Sequence, residues 1–414
     1  MSGVAPITSR ERVGELDVLR GFALLGVMII NLKELGGVDV TITADQLAAL
    51  PSAAADTRLD FWVRLFVADK ANTLFACLFG LGFWVQMQRL EARGAPFREI
   101  YLRRAGILLI FGWLHVLLLF SWDVLHIYGI AAFILLFSRK LSNRSLLLIG
   151  GALLLLGKPA ITALFSWSGI SGPLDAITFA DSEVLARQAA AQAGDFPGFM
   201  SLMAENLWLG WLLNGGLIGW IAYATGRFYI GAWIARKGWI QNAKDNLSPF
   251  RRWLWPLLLG GWSLEAVRLL SEEGLIGSGE PWTAVAGEAL HAIATPMIAA
   301  GYVCALVLLF NTRVSSWLVR PFAPVGRMAL TNYVMQGFAI TLILTGVGPG
   351  LALAGKAGLS AFLPMVFAFY AAQVVFSHLW LTYFAYGPLE WGWRALTYAE
   401  RPRFRRAVRI DATT

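Results

Sequence analysis

Long runs of apolar residues recur along the whole chain and alternate with short polar segments. A helix of about 20 apolar residues is long enough to cross the hydrocarbon core of a bilayer. The pattern therefore predicts an all-α, polytopic membrane protein with about ten transmembrane helices. The predicted spans are 18–38, 71–90, 104–121, 123–139, 144–166, 207–235, 253–272, 282–310, 324–347 and 359–384. Because only Trp122 and Asp123 join the third span to the fourth, these two should form a tight hairpin.

The distribution of charge predicts how these spans are oriented. The chain carries 34 Lys and Arg residues against 26 Asp and Glu residues, for a net charge of +8. If both termini are cytoplasmic, Lys and Arg concentrate in the cytoplasmic loops and acidic residues prevail outside, as the positive-inside rule requires. Topology and contact with anionic lipid then account for the basic charge, so no nucleic acid partner is expected.

Composition supports this fold class and excludes several kinds of site. Charged residues make up 14% of the chain, whereas soluble domains contain about 25%. Both cysteines, Cys77 and Cys304, lie in apolar runs, so neither a disulfide framework nor a metal site is expected. We find no internal repeat and interpret 1–414 as one integral membrane domain, with an N-terminal region (residues 1–235) and a C-terminal region (residues 236–414). The long connections 39–70 and 167–206 have room for short surface helices.

Three polar residues mark the first predicted span. Asp17 and Arg20 are three residues apart, so on a helix they share one face and can neutralise each other. Asn31 lies eleven residues after Arg20, which is about 16 Å further along a helix. Polar groups at membrane depth are costly and usually mark a functional site. The chemistry is therefore expected near the first helix.

His115 is the strongest candidate for a general base. It lies eleven residues after Arg104, as Asn31 does after Arg20, so both should reach a similar depth in the membrane. A neutral imidazole can accept a proton from an attacking hydroxyl or amine. Asp123 could orient the ring, although a straight helix would place it about 12 Å further along. The predicted catalytic residues are His115, Asn31 and Asp123; the alternative is that His115 has a structural role between helices.

Other polar residues cluster towards the outer ends of the predicted spans. Glu265 and Arg268 are three residues apart on one helix, and Glu288 and His291 are three apart on the next. Together with His126, which should lie near the outer interface, these residues are the predicted substrate-binding group. They could line a pocket for an acceptor or form a structural network of ion pairs, and the sequence leaves both interpretations open.

Arginines gather at the cytoplasmic helix ends, where a donor with phosphate groups could bind. Arginine can contact a phosphate through two parallel hydrogen bonds. For any single arginine a purely topogenic role is the favoured alternative, except for Arg20, which its spacing pairs with Asp17. The predicted donor-binding residues are Asp17, Arg20, Arg103, Arg104 and Arg327.

Five stretches, in order along most of the chain, carry a family resemblance. They resemble motifs of the YeiB-like family of bacterial membrane proteins, also called domain of unknown function 418. The first stretch also resembles the opening of the related heparan-α-glucosaminide N-acetyltransferase family, an Asp-x-x-Arg-Gly motif with a later Asn. The stretches are 15–31, 78–83, 103–128, 326–333 and 386–394.

The resemblance implies a function in the bacterial cytoplasmic (inner) membrane. The related acetyltransferases use cytoplasmic acetyl-CoA to modify a glycan on the far side of the membrane. The implied function is transfer of an acyl group, in the first place acetyl, from acyl-CoA to a glycan, lipid or small metabolite at the outer face. The heparan enzymes have their catalytic histidine in the loop after the first helix. Residues 32–70 contain no histidine, so the base must come from elsewhere.

Two other functions stay open at this point. The runner-up is a transporter for a small anionic or amphipathic metabolite, and a non-catalytic membrane sensor or scaffold is third. The expected partners are membrane lipids, acyl-CoA as donor substrate and an unidentified acceptor, with no covalently bound cofactor. Homo-oligomerisation is left open.

Overall fold

The computed structural model describes residues 13–119, 123–277, 281–313 and 316–406, and these residues are almost entirely helical. Within these ranges the only β-type pairings are two isolated bridges, Val38 with Ile42 and Phe384 with Arg405. The predicted all-α class is therefore confirmed.

The described ranges contain nineteen α-helices. In the first half they are α1 (Gly14–Leu35), α2 (Ala44–Ala49), α3 (Ala53–Phe66), α4 (Lys70–Ala92), α5 (Phe97–Leu118), α6 (Leu125–Phe137), α7 (Asn143–Ala152), α8 (Lys158–Trp167), α9 (Ser171–Thr178), α10 (Asp181–Ala193) and α11 (Phe196–Leu207). In the second half they are α12 (Gly216–Lys237), α13 (Ser248–Glu272), α14 (Pro281–Phe310), α15 (Ser316–Val319), α16 (Phe322–Arg327), α17 (Ala329–Leu344), α18 (Leu359–Tyr383) and α19 (Pro388–Tyr398).

Five helical stretches in the described residues are long and apolar enough to cross a membrane. They are Ala53–Ala92, Phe97–Leu118, Asn143–Trp167, Val285–Phe310 and Leu359–Tyr383. A sixth is added if Phe196–Leu213 and Gly216–Lys237, which meet at a bend of 70°, form one broken span. The helices α6 and α17 are apolar but shorter. The molecule therefore has the composition and helix lengths of a membrane protein.

The first helix lies at the centre of the bundle and crosses α16 at very short range. A Cβ on Gly21 would overlap the backbone of α16, and a Cβ on Gly326 would overlap the backbone of α1. Only residues without a side chain allow the two backbones to approach this closely. Each glycine is next to an arginine, so the crossing brings Arg20 and Arg327 to the same region.

Glycines also set the contacts of α4 and of the hairpin. A Cβ on Gly80 would overlap the Phe228 backbone in α12, so this glycine permits close packing. Gly112 in α5 packs in the same way against the backbone of His126 in α6. The described parts of α5 and α6 are thus antiparallel and in close contact, which confirms the predicted hairpin. Trp122 lies outside the described residues.

The two long connections pack together at one end of the bundle. The first contains α2 and α3, and the second contains α9, α10 and much of α11. Arg187 in α10 is buried and donates hydrogen bonds to the carbonyls of Val40, Asp39 and Thr178. A buried guanidinium that satisfies three carbonyls ties the two connections into one layer.

Candidate functional site

A cavity of about 210 Å³ opens between α1, α4, α5, α16, α17 and α19. Among the lining residues that the structure describes, arginines outnumber acids by five to two. A surplus of positive charge around a cavity favours an anionic ligand. The arginines are Arg20, Arg89, Arg104, Arg327 and Arg394, and the acids are Asp17 and Glu390. We call this space the arginine cavity.

The arginine cavity is long and has ends of different character. Along α4 it is lined from Phe75 to Arg89, fourteen residues further on, which corresponds to about 21 Å at the rise of an α-helix. The arginines lie at one end. The other end is apolar and is lined by Phe75, Phe79, Leu108, Leu125 and Tyr333. Such a cavity suits an elongated molecule with an anionic head.

Packing and ion pairing hold two of the arginines. The guanidinium carbon of Arg104 lies 3.8 Å from the ring centroid of Trp393, and the Trp393 indole N–H donates to the Arg104 carbonyl at 3.1 Å. A guanidinium stacked on an indole is held in orientation and gains a cation–π attraction. Arg20 lies 3.4 Å from an Asp17 carboxylate oxygen, as their spacing predicted. The arginine end is therefore partly preorganised.

Glu390 fastens α19 to the first turn of α17. Its carboxylate accepts hydrogen bonds from the backbone N–H of Leu330 at 2.6 Å and of Thr331 at 3.0 Å, and from the Thr331 hydroxyl at 2.6 Å. An acid at a helix N-terminus satisfies donors that lack a partner within the helix. Partial burial raises the pKa of the Glu390 carboxyl, and its hydrogen bonds with Thr331 oppose this shift. The sequence stretches 326–333 and 386–394 thus meet in space.

A buried group of polar side chains lies behind the apolar end of the cavity. At its centre is Asp123, which is fully buried. One Asp123 carboxylate oxygen lies 3.2 Å from Nδ1 of His115 and accepts a hydrogen bond of 2.7 Å from the Tyr333 hydroxyl. The other oxygen accepts the backbone N–H of Leu125 at 2.8 Å and lies 3.7 Å from Nδ1 of His126. We call His115, Asp123, His126 and Tyr333 the His–Asp group.

The carboxylate of Asp123 sets the tautomer of His115. A carboxylate at Nδ1 favours the tautomer that carries its proton there, which leaves Nε2 as the proton acceptor. Nε2 faces Gly337 in α17, where a Cβ would lie 2.5 Å from it. Asp123 reaches His115 because the hairpin folds back before α6 begins. The expected separation of about 12 Å assumed a straight helix and was therefore wrong.

Tyr333 connects the arginine cavity with His115 and Asp123. Its side chain lines the arginine cavity, its hydroxyl contacts Asp123, and its ring centroid lies 5.4 Å from that of His115. Sequence analysis did not select it as a site residue. A signal was present, because Tyr333 closes the stretch 326–333 that resembles a family motif.

A second set of charged residues lies apart from the arginine cavity and joins α4 to α13 and α14. Lys70 and Glu265 are both fully buried, and Lys70 Nζ donates to a Glu265 carboxylate oxygen at 2.8 Å. Arg268 donates to the same oxygen at 2.9 Å. The His291 ring bridges two acids, with Nδ1 3.0 Å from Glu265 and Nε2 3.0 Å from Asp69. We call these five residues the ionic cluster.

Comparisons with known proteins fix the family. The family described as "Protein of unknown function (DUF418)" matches residues 234–400. The chain is 32% identical over 423 residues to Bacillus subtilis "Uncharacterized protein YxaH", across 96% of this chain and 97% of the relative. It is 31% identical over 402 residues to Escherichia coli "Uncharacterized protein YeiB", across 94% of this chain and 96% of the relative. The chain belongs to the DUF418 family. The predicted family resemblance is confirmed.

The DUF418 structure brings many of the predicted donor-binding residues together. Asp17, Arg20, Arg104 and Arg327 all line the arginine cavity. Arg103 is exposed and is not among the described lining residues, because consecutive positions on a helix point about 100° apart. Sequence reasoning missed Arg89 and Arg394, because only the tertiary crossings show which face of α4 and α19 meets the cavity.

Three other predicted residues have different surroundings in the DUF418 fold. Asn31 is partly exposed, and no hydrogen bond in the described residues joins it to His115. His126 belongs to the His–Asp group, where its ring packs 4.9 Å from Trp113. Glu288 is exposed and is not part of the ionic cluster, although its spacing from His291 suggested a pair. The acids that contact His291 come from other helices, a relation that sequence spacing does not reveal.

Proposed function

We propose that this DUF418 protein is a transmembrane acyltransferase that moves an acyl group, in the first place acetyl, from cytoplasmic acyl-CoA to an acceptor at the outer face. One observation carries the proposal. The arginine cavity ends at Tyr333, and the hydroxyl of Tyr333 is bonded to the Asp123 carboxylate that pairs with His115. A binding space for an anionic donor thus borders on a buried acid–base group.

The length of the cavity lining along α4, about 21 Å from Phe75 to Arg89, supports this proposal. The arginines would bind the phosphates of CoA, and the acyl-bearing arm would extend along α4 towards Tyr333. His115 Nε2 would accept the proton of the acceptor hydroxyl or amine as that group attacks the thioester carbon. The carbon–sulfur bond then breaks, and the CoA thiolate leaves and takes the proton from the His115 imidazolium. Asp123 would stabilise the imidazolium while it exists.

We also propose ten membrane crossings, with both termini cytoplasmic, in the bacterial cytoplasmic membrane. Helices lie in all ten predicted apolar runs, and the arginine cavity is lined by the start of α1 and by α19 near the other end of the chain. Because arginine is enriched in cytoplasmic segments of membrane proteins, this concentration of arginine favours a cytoplasmic location for both ends of the chain.

Cysteine labelling in a variant without Cys77 and Cys304 tests this topology. A membrane-impermeant maleimide should reach cysteines placed in 167–206 in intact cells. It should reach a cysteine at position 405 only after permeabilisation. Labelling of position 405 in intact cells would contradict the ten-span topology.

Donor binding tests the proposed function directly. Purified full-length protein should bind acetyl-CoA in calorimetry, and Arg104→Ala should weaken binding about tenfold to a hundredfold, since a charge-assisted hydrogen bond contributes about 1.5–3 kcal/mol. Arg103→Ala is the matched control, because this neighbouring arginine is exposed and should leave the affinity unchanged. If the wild type binds no acyl-CoA at near-millimolar concentration, the transferase proposal fails.

The ionic cluster favours a second candidate function, transport of a small anion. Buried ionisable residues inside a membrane commonly mark ion or substrate pathways, and Lys70 and Glu265 are both fully buried. Uptake of radiolabelled organic anions into cells that survives His115→Asn but is lost in a Glu265→Gln variant that is shown to remain folded would support transport over acyl transfer.

A further inference from the structure

The apolar end of the arginine cavity is closed by one residue that also contacts the catalytic candidates. Tyr333 is almost fully buried, at 2% exposure, although its side chain lines the cavity. His115 and Asp123 are not among the described lining residues. Among the described residues, Tyr333 therefore stands at the border between the apolar end of the cavity and the pair formed by His115 and Asp123.

The remaining walls at this end are tightly packed. Phe79 stacks against Phe228 with ring centroids 5.4 Å apart and meets Tyr128 at 5.5 Å. Phe75 stacks against the same tyrosine at 6.1 Å. Close-packed interiors yield little to an added methylene. A chain that extends beyond the thioester therefore cannot easily displace the aromatic residues of α4.

The position of the Tyr333 ring is fixed by its hydroxyl. The 2.7 Å hydrogen bond to the fully buried Asp123 is charge-assisted, and such bonds are short and strong. Turning the ring aside to lengthen the cavity would break this bond and leave a carboxylate oxygen of Asp123 with one partner fewer.

We infer that Tyr333 determines the length of the acyl chain that the arginine cavity accepts, so that the donor is a short-chain acyl-CoA. The inference rests on the proposed function and adds the residue that sets its specificity. The ring excludes longer chains, while the hydroxyl holds the ring and orients Asp123. These two roles can be separated by substitution.

Binding of an acyl-CoA series to the purified full-length protein tests the inference. The series is acetyl-, butanoyl- and hexanoyl-CoA, and the quantity measured is the ratio of hexanoyl to acetyl affinity. In Tyr333→Ala this ratio should rise at least tenfold over the wild type, because each newly buried methylene increases affinity about fourfold. Tyr333→Phe keeps the ring but loses the hydrogen bond that holds it, so its ratio should rise less than that of Tyr333→Ala.

Two further variants serve as controls. Tyr398→Ala removes a ring from the arginine end of the same cavity and should leave the length preference unchanged. If Tyr333→Ala does not fold, Tyr333→Leu takes its place, and Leu108→Phe should shift the preference in the opposite direction by filling the apolar end.

The outcomes separate the two proposals. If the wild type binds acyl-CoA but the ratio in Tyr333→Ala and Tyr333→Leu equals the wild-type ratio, the inference about Tyr333 is wrong and the proposed function stands. If no acyl-CoA of any length binds, the proposed function fails and the inference fails with it.

Discussion

The arginine cavity and the ionic cluster are both rich in charge, but they balance it differently. In the ionic cluster each base lies against an acid: Lys70 and Arg268 share Glu265, and His291 bridges Glu265 and Asp69. Around the arginine cavity the described lining contains five arginines and two acids. The charges of the ionic cluster face one another, whereas the net positive charge of the described cavity lining surrounds an open space and favours an anion there.

Helix α4 connects the two regions. It begins at Lys70 in the ionic cluster and carries Arg89 into the arginine cavity, nineteen residues later, which is about 28 Å along its axis. The ion pair between Lys70 and the buried Glu265 of α13 anchors the first turn of this helix. We therefore expect substitutions in the ionic cluster to act on stability, and substitutions in the cavity or the His–Asp group to act on donor binding and rate.

The largest expected effect tests the base behind the cavity. His115→Asn should reduce acyl transfer about 10²–10⁴-fold, the usual cost of losing a general base. Expression, thermal stability and acetyl-CoA affinity should stay near wild type, because asparagine is of similar size and polarity and the arginines are intact. Transfer is measured with radiolabelled acetyl-CoA in membranes from cells that produce the protein.

Two results would contradict this role for His115. Loss of folding in His115→Asn would indicate a structural hydrogen-bonding group. Full activity in a stable His115→Asn variant would move the search for the base to His126.

The next largest effect concerns the ionic cluster. Glu265→Gln removes the carboxylate that Lys70 and Arg268 share and should lower the free energy of unfolding by about 3–5 kcal/mol, because it leaves a buried ammonium uncompensated. Thermal unfolding in detergent measures the effect. The double variant Lys70→Met/Glu265→Leu should recover part of the loss, since it removes the buried ammonium as well, and Arg268 keeps its ion pair with Glu272.

The double variant also sharpens the comparison between the two regions. If it is stable and retains acyl transfer, the ionic cluster is structural. If it is stable but has lost activity, the ionic cluster has a functional role. The expectation that substitutions in this cluster act on stability alone would then be wrong.

Much of the fold could be predicted because its signals are local. Apolar runs predict helices, and the short link between the third and fourth spans predicts the α5–α6 hairpin. The ion pair of Asp17 with Arg20 follows from helical spacing alone. Family motifs pointed to α16, α17 and α19, which come together around the arginine cavity.

The features of the site that sequence analysis missed depend on contacts between distant segments of the chain. Lys70 lies at the edge of a predicted span, and nothing in its neighbourhood shows that Glu265 would meet it 195 residues later. Asp123 lies beside His115 because α6 runs back along α5, an arrangement that the helical repeat does not predict. Tyr333 became a site residue only when α17 was packed against α5.

A smaller effect is expected at the arginine end of the cavity. Arg20→Ala should weaken acetyl-CoA binding about tenfold to a hundredfold in calorimetry, and Arg20→Lys should give an intermediate affinity, because lysine keeps the charge but lacks the planar fork. An unchanged affinity in a folded Arg20→Ala variant would show that the surplus charge at this end is topogenic. The donor site would then have to be sought elsewhere.

The smallest expected effect is at Glu288, and it tests whether tertiary contact or sequence spacing defines the ionic cluster. Glu288 lies three residues before His291 on α14, a spacing that favours pairing on a helix, yet its side chain is exposed and His291 contacts Glu265 and Asp69 instead. Glu288→Gln should therefore change the free energy of unfolding by about 0.5 kcal/mol or less, as surface substitutions usually do. Asp69→Asn, which removes a real contact of the His291 ring, should be clearly more destabilising in the same thermal unfolding experiment. If the two variants destabilise the protein equally, the bridge from His291 to Asp69 contributes no more than an exposed charge does, and the description of the cluster as a fully matched set of charges would have to be abandoned.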